Sequence, residues 1–268
     1  ENSTSYEEKN DHDILGIMMF QSAIPLKKEF ENSINFLKPI ASLKYSPNNT
    51  KDLSGNDTRL DYGSVFALNR IGTSDAVEGG RSLSLGIEFE KQNLNRERIF
   101  GLNLANVLRD KKNMNLPNTS KLNQTRSDIV GELDYNATNF IDLNYKFSFD
   151  RDLNHSNYDS VGSTITINNF VTTFDYLNEN NSSDDISYLS NTTKLILNNS
   201  NSLYFTTRRN KTINLTEYYN LAYQYKNDCL TASLEYDKEY YSDRDLKPNE
   251  SISVKLTIIP FNKDNKNF

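Results

Sequence analysis

Long apolar runs are missing from this chain of 268 residues. None approaches the roughly 20 consecutive apolar residues that a membrane-spanning helix requires, which excludes a helical membrane protein. Cysteine is nearly missing as well: Cys229 stands alone, so no disulfide can close within the chain. Histidine occurs only at His12 and His155. Positive charge is in slight deficit, with 30 Lys and Arg against 36 Asp and Glu and a formal net charge of -6. Both signs are scattered, and without a clustered basic face nucleic acid is excluded as a partner. The chain opens on Glu1, with neither an initiator Met nor the apolar core of a signal peptide. A mature protein, or a fragment of a longer one, is expected.

What the sequence does contain is strict alternation. Ile252, Val254, Leu256 and Ile258 are separated singly by Ser253, Lys255 and Thr257. Upstream, Leu230, Ala232, Leu234 and Tyr236 alternate with Thr231, Ser233 and Glu235, and Tyr219, Leu221, Tyr223 and Tyr225 with Asn220, Ala222 and Gln224. A period of two places each set on one side of a strand. The hydrophobic share of 36% and the mean hydropathy of -0.71 are low for a soluble core of this size. A transmembrane strand, however, spans lipid in about 9–11 residues and offers it only every second one. Disorder is disfavoured because many of the 16 Tyr and 14 Phe sit inside alternating segments.

About thirteen strands can be marked in this way. The first is expected over 14–24, followed by a connection over 25–38 and a second strand over 39–45, where Pro39 suits a strand start or a bulge. Later connections alternate in length. Those near Asn95, Asn139, Asn168, Asn199 and Asn227 are tight, and Asn168-Asn169 tolerates the positive φ of a primed turn. Those over 47–80, 110–126, 151–157, 178–184, 210–216 and 243–250 are longer and polar. Long loops at one end and short turns at the other are the habit of outer-membrane barrels. Tyr218, Tyr219, Tyr240 and Tyr241 near one end of their strands, with Tyr223 and Tyr225 near the other, fit two interfacial girdles. The expected fold is all-β, an antiparallel transmembrane β-barrel, with a soluble all-β binding module as its rival. An odd strand number implies further strands upstream, since an open edge in lipid strands backbone polar groups.

Chemistry-bearing residues are few. Asp150-Arg151-Asp152 and Asp243-Arg244-Asp245 place carboxylates in loops, but neither has the Gly nor the terminal Glu of a known calcium loop, so no metal is expected. His155-Ser156 are neighbours whose side chains diverge, which leaves no nucleophile-base pair; neither an enzyme nor a cofactor is expected. Sequons such as those at Asn191 and Asn214 follow from the Asn-, Ser- and Thr-rich composition. Gly79-Gly80 suits a tight backbone, either in a loop folded into a lumen or in a solvated one. Cys229 lies between Asp228 and Leu230, either reduced on its turn or paired elsewhere.

Two segments carry a family likeness. One is Asn69-Arg70, then Asp75, then Glu78-Gly79-Gly80-Arg81 leading into the strand over 83–89. The other runs from Tyr225 through Asp228-Cys229 to Asp243-Arg244-Asp245, Pro248 and the last strand. Together they resemble the LptD family of lipopolysaccharide-assembly outer-membrane proteins, with Thr73 and Ala76 departing from its usual Gly and Arg. The resemblance implies that residues 1–268 are the C-terminal part of one barrel domain of twenty-six strands. It implies lipopolysaccharide as cargo, an LptE-like lipoprotein plug, outer-membrane lipid around the wall, and a periplasmic lipopolysaccharide bridge reached through an upstream domain. It further implies a lateral seam whose edge is the last strand, with Ile252, Val254, Leu256 and Ile258 toward lipid and Lys255 and Thr257 toward the lumen. Cys229 would bond the upstream domain. The alternative is an unrelated outer-membrane channel or receptor barrel.

Overall fold

The structure, a computed structural model, describes residues 15–73, 76–138, 140–180, 185–240 and 248–258. Alternating residues with β-branched and aromatic side chains favour extended pairing, and fourteen strand segments form one antiparallel sheet. They are β1 (Met18–Ala23), β2 (Leu26–Phe30), β3 (Ser33–Ser46), β4 (Gly80–Gln92), β5 (Arg98–Arg109), β6 (Ile129–Thr138) and β7 (Ile141–Phe149). The second half comprises β8 (Ser156–Ile167), β9 (Phe170–Asn180), β10 (Asp185–Asn198), β11 (Asn201–Asn210), β12 (Leu215–Lys226), β13 (Leu230–Glu239) and β14 (Glu250–Ile258). From β3 to β13 every strand lies between its neighbours in sequence, a simple meander that ends at β14.

The first connection corrects the sequence reading. Residues 25–38 are not a loop: β2 pairs Leu26 with Leu37 and Phe30 with Ser33, so the chain reverses tightly at Glu31-Asn32. β1 pairs the other half of β3, Met18 with Tyr45 through Ala23 with Ile40. β1 and β2 are thus one edge ribbon interrupted at Ile24-Pro25, and the fourteen segments occupy thirteen rows. Proline explains the break. Ile24 N–H donates to Pro39 O at 3.1 Å, so the side of Pro39 that lacks a donor faces the gap. A proline in a strand centre is tolerated here because its partner ribbon is broken opposite it.

Register sorts the two faces. Leu43, Leu85, Leu189, Phe205, Leu221 and Leu234 lie on one side and are exposed. On β14 the same side carries Ile252, Val254, Leu256 and Ile258, which are 67 to 77% exposed. No protein layer covers this face among the described residues, which removes the soluble sandwich. The opposite face is polar, with Thr164 bonded to Thr173 at 3.1 Å and Asn220 to Asp237 at 2.5 Å. Of the Asn168-Asn169 turn, Asn168 takes the positive φ, 52°. β1 and β14 form the two edges; among the described residues neither pairs with the other, so the sheet is not closed.

Candidate functional site

The polar face of β3 and β4 carries small residues on either side of Lys44: Ser42 and Ser46 on β3, and Ser82 and Ser84 on β4. All four are buried. Small side chains on a sheet leave room for something to pack closely, and the two longest connections do so. Residues 47–73, 76–79 and 110–128 fold onto this face. Their Leu60, Tyr62, Val65, Ile71, Leu116 and Leu122 bury themselves against Ala105 and Val107 of β5 and Val130 of β6. This cluster is the apolar core of the molecule, and it sits on the side that the strand pattern makes polar. Within it the helix α1 (Tyr62–Val65) is fixed by a capping box, Asp61 Oδ1 accepting from Ser64 N–H at 2.6 Å and Ser64 Oγ from Asp61 N–H at 2.9 Å. Tyr62 donates its hydroxyl to Glu88 of β4 at 2.8 Å.

An ion cluster clamps the end of the first loop to the wall. Glu78 meets Lys44 Nζ at 2.6 Å and Arg70 Nε at 3.1 Å, and also pairs with Arg109, whose Nη2 donates to Gly79 O at 2.6 Å. The four side chains are 3% exposed or less. Burial alone would raise the Glu78 carboxyl, but Arg70, Lys44 and Arg109 together outweigh it and hold it below the usual glutamate value. Burial pushes the Arg70 guanidinium down, against the pull of Glu78. The glycines that follow are required by space and conformation. A Cβ on Gly79 would stand 2.1 Å from Asn48 O, and Gly80 has φ +88°.

A second tie holds the loop farther round the sheet. Arg59 pairs with Glu179 of β9 at 2.6 Å, and its guanidinium lies 3.5 Å from the ring centroid of Tyr158 on β8. At the end of the second loop, Asp128 is buried and accepts from Asn157 at 2.8 Å and Ser148 at 3.2 Å. Burial raises its carboxyl against those bonds.

The expected site residues fall into separate places. Arg70, Glu78 and Gly79 are brought together in the buried cluster, so the segment is packed on the polar face of the sheet rather than solvated. Asn69 secures the same loop, donating to Thr73 O at 2.5 Å. Arg81 is exposed on the apolar side, stacked 5.8 Å from Tyr45. Asp75, Asp243, Arg244 and Asp245 lie outside the described residues, and Pro248 is exposed just before β14. Cys229 is half-buried and free on its turn, its N–H donating to Asn227 at 2.9 Å. Lys255 and Thr257 share the polar face of β14, and Lys255 pairs with Glu235 at 2.5 Å. Sequence reading missed Lys44, Arg109, Arg59 and Asp128. The signal available for Lys44 was its place between Ser42 and Ser46 on an otherwise small-residue stripe.

Among curated proteins none matches the chain. A solved structure similar to it is a mutant Rh. blastica porin, 11% identical, with a TM-score of 0.37 over 89% of this chain and 88% of the porin. The family model of LptD, described as LPS transport system D, matches residues 1–219. A meander with one uncovered apolar face, bearing that match over most of its length, belongs to the LptD family of lipopolysaccharide transport in the bacterial outer membrane.

Proposed function

We propose that the sheet is one part of the wall of a closed translocon barrel, and that lipopolysaccharide passes from periplasm to outer leaflet through its lumen and a lateral seam. Strands outside this chain would pair with β1 and β14, completing the twenty-six expected of the family. The observation that carries the reading is the sidedness of the sheet. A continuous apolar exterior suits lipid, and a polar interior suits sugars. The inward-folded loops narrow the lumen at the long-loop end, and an LptE-like lipoprotein would fill more of it. β14 forms one edge of the seam, its Ile252, Val254, Leu256 and Ile258 meeting acyl chains while Lys255 and Thr257 meet the polar headgroup. The work is positioning, with no bond made or broken. Cys229 would join the upstream domain that receives cargo from the periplasmic bridge.

The test is photo-crosslinking in cells with the intact protein. A crosslinking residue at Val254 should yield lipopolysaccharide adducts during transport, while one at Leu195, on the exterior of β10 away from either edge, should yield far fewer. Equal adduct levels at both positions would remove the seam.

A further inference from the structure

We propose that the rim of the sheet above β3, β4 and β5 holds a binding site for the phosphate-bearing headgroup of an anionic glycolipid standing in the adjoining leaflet. The glycolipid identity rests on the transport reading above; the anion preference stands on the site itself. A cleft of about 660 Å³ opens at the ends of these three strands. Arg81, Arg109, Lys111 and Lys112 line it, and Asp110 is the one acidic residue among the lining residues.

Charge beneath the cleft points the same way. Among the described residues, Lys44, Arg70 and Arg109 face a single buried carboxylate, that of Glu78, an excess of two positive charges. Arg109 Nε and Arg70 Nη1 are buried donors with no hydrogen-bond partner. Buried cations and unused N–H groups are costly unless something nearby compensates them. An anion in the cleft does so at Arg109, which lines it. Phosphate matches the guanidinium and ammonium donors of the lining.

Geometry selects a lipid over a free ion. Register places Arg109 on the polar face, opposite Ser82, and Arg81 on the apolar face, opposite Tyr45. The cleft therefore straddles the rim. On the apolar side, Leu43 and Leu85 continue below Arg81 and Tyr45 as exposed aliphatic surface. A headgroup held at the rim would keep its acyl chains against that surface.

The test titrates the intact protein in nanodiscs, read by native mass spectrometry, with bis-phosphorylated lipid A, its dephosphorylated form, and inorganic phosphate. Lipid A should bind, and the combined exposed substitutions Arg81→Gln, Lys111→Gln and Lys112→Gln should weaken it about tenfold, the order expected for three rim contacts. Lys91→Gln with Lys226→Gln, at the opposite end, should leave affinity within about twofold, since only rim charges are involved. Equal affinity for the dephosphorylated lipid, or an equal loss from the control pair, would overturn the site. Inorganic phosphate binding as tightly as lipid A would overturn the lipid assignment. Failure of the transport reading shows elsewhere, as normal surface lipopolysaccharide after depletion of the intact protein.

Discussion

At Glu78 a single carboxylate holds three cations inside the molecule, and its removal is expected to be disproportionate. Glu78→Gln should cost about 3–5 kcal/mol, because it removes the one carboxylate that, among the described residues, opposes the buried Lys44, Arg70 and Arg109. The measurement is protease resistance of the segment 47–79 in the intact protein. Acid should act in the same direction. A carboxyl held below its ordinary value of 4.5 supplies stability that is complete above that value and lost as pH falls through the depressed one. Asp128 has the opposite sign, since its carboxyl is raised and acid relieves rather than removes a penalty. Hydrogen exchange compared at pH 7 and pH 4 should therefore show segment 47–79 loosening, with less change where Asp128 meets β7 and β8. Gly79→Ala should cost more than about 2 kcal/mol, its Cβ meeting the Asn48 backbone rather than a movable side chain. These effects were only partly legible in the sequence. The motif exposed Arg70, Glu78 and Gly79 as a unit, but Lys44 and Arg109 join it through strand register, which residue order does not print.

Among the elements, β4 to β14 were legible because alternation with turn signals leaves few other solutions. The edge ribbon was not. Pro25 and Pro39 each read as a strand boundary, and only their opposition across the gap shows that the boundary is shared. The inward packing of the two long connections was also hidden, since a loop rich in Asn, Ser and Lys has the composition of a solvated one. β14 offers a test of sidedness. Leu256→Arg should lower the folded fraction by about 2–4 kcal/mol if that face meets lipid near the midplane, while Thr257→Arg should be nearly neutral. Heat-modifiable mobility of the intact protein on unboiled gels measures both, and equal effects would refute the assignment of faces.

For the molecule as a whole, the proposed translocon would have β1 and β14 pair with further strands and Cys229 bond an upstream domain. Non-reducing gels of the full-length protein should show a mobility shift that Cys229→Ser abolishes; unchanged mobility would remove the proposed bond. The ties that anchor the inward loops have a further consequence. Each of them, from Lys44 on β3 to Glu179 on β9, falls on the first part of the sheet. Traffic through the proposed lumen is then lopsided: one flank is occupied, and the free corridor runs past the hydroxyl and amide groups of β10 to β14. A passenger would trade one weak hydrogen bond for the next along that corridor, and would reach the last strand with its sugars solvated throughout.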